Sequence, residues 1–107
     1  MSEIRYELKI LKPAQLELEE IALIHMELVG VESARKITDR IYGALEHLQR
    51  HPNIGVACSN KIFQSEGYRM LICDHYLCIY RLLEQTVYVY HIVDGRTNYP
   101  RLLEDLP

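Results

Sequence analysis

The stretch Tyr68–Val93, YRMLICDHYLCIYRLLEQTVYVYHIV, decides the fold. It divides into three runs rich in Tyr, Val, Ile and Leu: Tyr68–Cys73, Tyr76–Leu83 and Thr86–Val93. Only Asp74-His75 and Glu84-Gln85 separate them, so consecutive hairpins with tight turns are the simplest reading. Just upstream, His51-Pro52-Asn53-Ile54-Gly55 carries turn chemistry, and Val56–Ser65 is expected to supply a short strand or a loop. Downstream, Asp94-Gly95-Arg96-Thr97-Asn98-Tyr99 reads as a turn that leads into a short apolar tail with Leu102 and Leu103.

Before residue 51 the hydrophobic period changes from two to nearly four. Ala14, Leu18, Ile21, His25 and Leu28 form one stripe of a helix over Ala14–Val29, and Pro13 suits its first turn. Leu16, Leu23 and Ile24 widen its apolar surface, so this helix is expected to pack on two sides. Glu17, Glu19 and Glu20 are expected to favour the positive end of its dipole. Gly30 is a natural stop. A second helix over Glu32–Arg50 carries the stripe Ala34, Ile37, Ile41, Ala44, Leu45 and Leu48, and so short a connection makes the two helices antiparallel neighbours. Ahead of both, Ile4, Tyr6, Leu8 and Ile10 alternate with Arg5, Glu7 and Lys9, the pattern of a half-buried strand. The fold class is therefore α+β: an N-terminal strand, then an antiparallel two-helix hairpin packed on an antiparallel sheet of about four strands.

The chain has 107 residues, so residues 1–107 are expected to form one domain. Its hydrophobic content of 49% and charged content of 25% argue against disorder. A formal net charge of -3 excludes a strongly basic surface of the kind that binds nucleic acid indiscriminately. Three cysteines cannot all pair internally, which favours a reducing compartment. The N-terminus has no apolar run of signal-peptide type, and Leu71–Tyr80 is interrupted by Asp74 and His75 well short of a membrane span. A cytoplasmic protein without a membrane partner is expected.

Metal chemistry has little support. His47 and His51 lie four apart but lack further ligands nearby, and Cys73-x-His75-x-x-Cys78 lacks a fourth. No glycine-rich phosphate loop or serine nucleophile elbow is present, and no cofactor is expected. Of eight tyrosines, Tyr68, Tyr76, Tyr80, Tyr88, Tyr90 and Tyr99 lie in the second half. Strand packing accounts for most of them, while a face with tyrosine and arginine also suits the stacking of unpaired RNA bases.

The most informative local feature is His91-x-x-x-x-Arg96-x-x-Tyr99, which runs off the last strand. Cleavage of RNA by its own 2′-hydroxyl needs a group to take that proton, a cation for the developing charge on phosphorus, and a donor for the leaving 5′-oxygen. His91 and Tyr99 are the candidates for proton transfer. Arg96, Arg81 and Arg69 are the candidates for holding phosphate, with Arg81 grouped among the catalytic residues and Arg69 as an RNA contact. The plainer reading makes Arg96 an ion-pair partner and Tyr99 an anchor for the tail.

Taken in order, these segments resemble the RelE/ParE superfamily of toxins from type II toxin–antitoxin modules, also described as plasmid-stabilisation proteins. The resemblance rests on Lys12-Pro13-Ala14-x-x-x-Leu18-Glu19-Glu20-Ile21, on Ala34 followed by Asp39-Arg40-Ile41-x-x-Ala44-Leu45-x-x-Leu48, and on Pro52-x-x-Gly55. It continues through Gly67-Tyr68-Arg69, Tyr76–Arg81, Val87-Tyr88-Val89 and Gly95-Arg96-Thr97-Asn98-Tyr99. It implies a helical hairpin on a twisted antiparallel sheet, growth inhibition, and a cognate antitoxin whose tail lies across the toxin in a hetero-oligomer. Two mechanisms occur in the superfamily. RelE-like members cut mRNA in the ribosomal A site without a metal, and ParE-like members poison DNA gyrase and are not nucleases. Ribosome-dependent mRNA cleavage, with ribosome and mRNA as partners, is the first expectation. A gyrase poison is the second, and a non-toxic protein-binding member the third. Arg96 and Tyr99 match the C-terminal arginine and aromatic positions of the nucleases. Thr97, Asp94, Leu71 and Leu77 depart from their basic or histidine positions, and the acidic net charge also counts against that branch.

Overall fold

In the computed structural model, residues 5–58 and 61–96 are described, apart from the side chain of Ile62. The elements follow one another as β1 (Glu7–Ile10), α1 (Lys12–Leu28), α2 (Val31–Leu48), β2 (Val56–Ala57), α3 (Lys61–Ser65), β3 (Arg69–Cys73), β4 (Tyr76–Leu83) and β5 (Thr86–Asp94). The three tyrosine-rich runs are strands within a residue of their expected bounds. The segment after Gly55 supplies both a two-residue strand and a single helical turn.

The five strands form one sheet in the order β1-β5-β4-β3-β2. The β3–β4 and β4–β5 pairs are antiparallel hairpins, as their short turns require. β1, however, lies parallel to β5, with Glu7 opposite Thr86 and Ile10 opposite Val89, so the sheet is mixed rather than wholly antiparallel. A parallel pair needs a long crossover, and everything between Leu11 and Gln85 supplies it. Nothing in the local pattern of β1 encodes that direction.

The central strands β4 and β5 are largely buried on both faces, which is why they read as nearly continuous apolar runs. On one face, Cys78, Tyr80, Val87, Val89 and Ile92 meet the helices. The helices contribute Ala14, Leu18, Ile21, Ile37, Ile41, Leu45 and Leu48, all buried, and the helix phase read from the sequence therefore holds. On the other face, Ile79, Tyr90 and Val93 pack with Cys58, Phe63 of α3 and Tyr68. Between Ile79 and Tyr80 the β4–β5 register shifts, so Tyr90 is the extra residue of a bulge.

Two glycines are set by geometry. Gly30, at φ +134°, separates α1 from α2, and its N–H joins that of Val29 on the carbonyl of His25. Gly55 sits against the fully buried Tyr80: a Cβ there would lie 2.6 Å from the phenol oxygen and 2.8 Å from the Met70 carbonyl. That phenol accepts a hydrogen bond from Gly55 N–H at 2.9 Å and donates one to Pro52 C=O at 2.7 Å. Its position pins the turn that ends the helical half.

Three expectations for α1 change. Leu28 belongs to the periodic stripe but, as the last residue of the helix, is 80% exposed. The second apolar side, with Leu16, Leu23 and Ile24, is exposed rather than packed. Glu17 lies beyond the first turn, since the helix begins at Lys12, and it serves a tertiary contact instead of the dipole.

Candidate functional site

β5 carries the chain to the C-terminal edge where the sequence places its chemistry. β1 covers this strand only as far as Val89, whose carbonyl accepts from Leu11 N–H. Beyond that point α1 packs against β5, and Glu17 takes over the open edge. One carboxylate oxygen of Glu17 accepts from Ile92 N–H at 3.0 Å, and both oxygens lie 3.0–3.1 Å from His91 Nδ1. A carboxylate can only accept, so Nδ1 carries the proton. His91 is 7% exposed. Its imidazole is thus committed to a neighbouring helix, and only Nε2 is left for other chemistry.

Arg81 sits on the sheet face opposite the helices, paired in register with Tyr88. Its guanidinium lies 4.5 Å from the Tyr68 ring centroid and 5.4 Å from that of Tyr90, and Nη2 donates to the Tyr90 hydroxyl at 2.9 Å. Two ring faces and a hydroxyl hold the cation in place. Its Nε is buried and has no hydrogen-bond partner among the described residues. Burial pushes the Tyr68 phenol above its ordinary pKa, against the opposing pull of Arg81. Tyr68 also meets Phe63 and Tyr90 edge to face, so this cluster is packed rather than open.

Arg69 lies opposite Tyr80 in the β3–β4 register, and Tyr80 belongs to the helix-covered face. The Nη1 of Arg69 donates to Gly55 C=O at 2.8 Å. Arg69 and Arg81 therefore stand on opposite faces of the sheet. Arg96 follows β5 with its side chain 92% exposed, and it folds back on Asp94. Its backbone N–H, Nε and Nη2 donate to that carboxylate at 2.9, 3.1 and 3.3 Å. These hydrogen bonds hold the Asp94 carboxyl below the usual carboxylate range. Tyr99, like Thr97 and the leucines of the tail, lies outside the described residues.

The expected site residues are thus dispersed: His91 at the α1 edge, Arg81 on one face, Arg69 on the other, and Arg96 on the terminal turn. Arg96 alone of these lines an open cleft of about 610 Å³ that also includes Ile72, His75, Tyr76 and Asp94. A neighbouring cleft of about 540 Å³ reaches the hairpin tip, and there His25 spans Ser33 Oγ at 3.1 Å and the Tyr76 hydroxyl at 3.0 Å. Arg40 closes its rim by pairing with Asp74 at 3.0 Å. Sequence reasoning missed both Glu17 and this Ser33–His25–Tyr76 chain, because each joins residues many positions apart with no local signature. Among the described residues, no group of three or more His, Cys, Asp or Glu side chains could hold a metal ion. No helix there is long and apolar enough to cross a membrane.

A family model described as the ParE toxin of a type II toxin–antitoxin system, parDE, matches residues 8–99, from β1 past the terminal turn. The chain belongs to the ParE toxin family. It is therefore a toxin of a type II toxin–antitoxin module. Solved structures agree on the fold. A chain of the chromosomal ParDE system of P. aeruginosa superposes with a TM-score of 0.71 at 22% identity, covering 87% of this chain and 98% of that one. A chain of the toxin–antitoxin complex RelBE2 of Mycobacterium tuberculosis gives 0.64 at 13% identity, covering 87% and 94%. Among curated proteins, none matches.

Proposed function

We propose that this ParE-family toxin arrests growth by poisoning DNA gyrase and does not cut RNA. The observation that supports this reading best is the way its candidate proton-transfer and phosphate-binding groups are occupied. His91 is buried against Glu17, Arg81 is clasped by Tyr68 and Tyr90, and Arg69 is tied to the Gly55 carbonyl. A metal-free nuclease needs a base, a cation and an acid converging on one phosphate, with the cation free to strengthen its contact as charge develops. A net charge of -3 likewise gives little long-range attraction for a ribosome dense in phosphate. The surface proposed to meet the target is the C-terminal edge that carries Arg96 and leads to Tyr99. Gyrase places the toxin in the cytoplasm, where the cognate antitoxin neutralises it in a hetero-oligomeric complex.

Inducible expression of the chain alone, with separate readouts of plasmid supercoiling and of mRNA ends on translating ribosomes, tests this reading. The expected result is growth arrest with altered supercoiling and intact A-site mRNA. Cleaved A-site mRNA with normal supercoiling would instead establish ribosome-dependent cleavage, with Arg96 and Tyr99 as the residues to substitute next.

A further inference from the structure

His25, near the end of α1, is held between two hydroxyls. Its Nδ1 lies 3.1 Å from Ser33 Oγ in the first turn of α2, and its Nε2 lies 3.0 Å from the Tyr76 hydroxyl at the start of β4. Backbone contacts fix both ends of this chain. The His25 carbonyl accepts from Val29 and Gly30 N–H, and Tyr76 pairs with Cys73 on one side and Asp94 on the other. The three residues are half-buried, and all line the cleft of about 540 Å³. Ser33, Lys36, Ile37 and Arg40 fall at i, i+3, i+4 and i+7, so α2 turns one face to the same cleft. The charges that line it are unevenly paired. Glu32 meets Arg35 at 3.6 Å and Asp74 meets Arg40 at 3.0 Å, whereas exposed Lys36 has no ion-pair partner among the described residues.

We propose that Ser33 is a nucleophile for acyl transfer, that His25 is its general base, and that the substrate is a small carboxylic ester bearing a second, anionic group. This activity is separate from the action on gyrase. A serine nucleophile needs a base within hydrogen-bond reach and a third group to orient that base, and the chain has this order. With Nε2–H donated to the Tyr76 oxygen, Nδ1 offers its lone pair to the Ser33 hydroxyl. Ser33 Oγ then attacks the acyl carbon while its proton passes to Nδ1. As the bond from the acyl carbon to the alcohol oxygen breaks, that proton moves to the oxygen and the alcohol leaves. Water next attacks the acyl–Ser33 ester with Nδ1 taking its proton, and the proton returns to Ser33 Oγ as the carboxylic acid departs. Gly30 gives α2 no side-chain cap, so N–H groups of the first turn are available to the oxyanion. Lys36, one turn along from Ser33, meets the anionic group of the substrate. Tyr76 acts through His25 and is a positioning residue. A bridge that only tied the two helices to β4 would need no cleft beside it.

The test treats the purified full chain with a fluorophosphonate and locates the adduct by peptide mass spectrometry. In parallel, hydrolysis of p-nitrophenyl acetate and of mono-p-nitrophenyl succinate is followed. The expected result is an adduct on Ser33 and hydrolysis that Ser33→Ala abolishes. His25→Gln should slow both reactions by about 100-fold or more. Tyr76→Phe keeps the ring and should lower kcat while KM stays unchanged. Lys36→Gln should raise KM for the succinate ester by about two- to fivefold and leave KM for the acetate ester unchanged. Each variant is first checked for native circular dichroism and thermal midpoint, and the wild-type adduct needs no variant at all. A wild-type chain without an adduct on Ser33 overturns the proposal. So does hydrolysis that Ser33→Ala, or a folded His25→Gln, retains within about twofold. Equal changes in KM for the two esters in Lys36→Gln would overturn the assigned substrate class.

Discussion

Tyr80→Phe isolates one hydroxyl whose partners are both buried. In the native chain the phenol of this fully buried residue donates to Pro52 C=O and accepts from Gly55 N–H. Pro52 and Gly55 are themselves buried, so water cannot replace the lost oxygen without opening the turn. A buried donor or acceptor left without a partner costs roughly 1–3 kcal/mol. With two such groups orphaned and some relaxation allowed, the expected loss of stability is about 2–4 kcal/mol. The ring itself remains, so no cavity contributes to that figure. Urea denaturation measures it directly: with a slope on the order of 1–2 kcal/mol/M, the midpoint should fall by about 1–4 M at unchanged slope. Arg69→Gln, which removes the donor to Gly55 C=O, should show coupling with Tyr80→Phe in a double-mutant cycle, because both side chains hold one turn. A Tyr80→Phe variant that loses less than about 0.5 kcal/mol would show instead that the turn satisfies its own backbone without the phenol.

Other consequences are equally open to measurement. Ile41→Ala, at a fully buried position midway along α2, should cost about 2–5 kcal/mol in the same denaturation experiment, and a cost typical of a surface site would contradict the core assignment. Glu17→Ala deprives both His91 Nδ1 and Ile92 N–H of their acceptor and should cost about 2–4 kcal/mol, with Glu17→Gln costing less because one amide oxygen remains. Equal costs for the two variants would remove hydrogen bonding from the explanation. Burial pushes the Cys78 thiol from 9.0 up to about 12, so the fold retains a proton that the unfolded chain gives up. The associated stability is present below about pH 9 and is lost as pH rises toward 12, by at most about 1.4 kcal/mol per pH unit. Cys78→Ala should flatten the alkaline slope by that one proton, and an unchanged slope would show that the thiol titrates freely.

Much of the fold was legible because the relevant signals are local. Asp74-His75 and Glu84-Gln85 interrupt strong strand formers, and those two pairs are the hairpin turns observed. The stripe Ile37, Ile41, Leu45 and Leu48 needs only one buried side, and α2 provides it. What escaped depends on how distant elements cross. The parallel pairing of β1 with β5 has no local mark. Leu28 continues the α1 period to the last residue of the helix yet is exposed there, and periodicity alone does not report where burial ends. At the candidate site, the location of Arg96 on the turn after β5 was readable from Gly95 and the strand end, as was the plainer possibility that it forms an ion pair. Its donation to Asp94 two residues earlier is the arrangement found. The commitment of His91 to Glu17 spans 74 positions and follows only from α1 covering the edge that β1 leaves open.

The proposed action of this ParE-family toxin on gyrase is tested most directly by a supercoiling reaction with purified gyrase, relaxed plasmid and the purified chain. Inhibition is expected to grow with toxin concentration, to be relieved by the cognate antitoxin, and to be accompanied by intact mRNA when the same preparation is added to translating ribosomes. Undiminished supercoiling at toxin concentrations that cut ribosome-bound mRNA would contradict it.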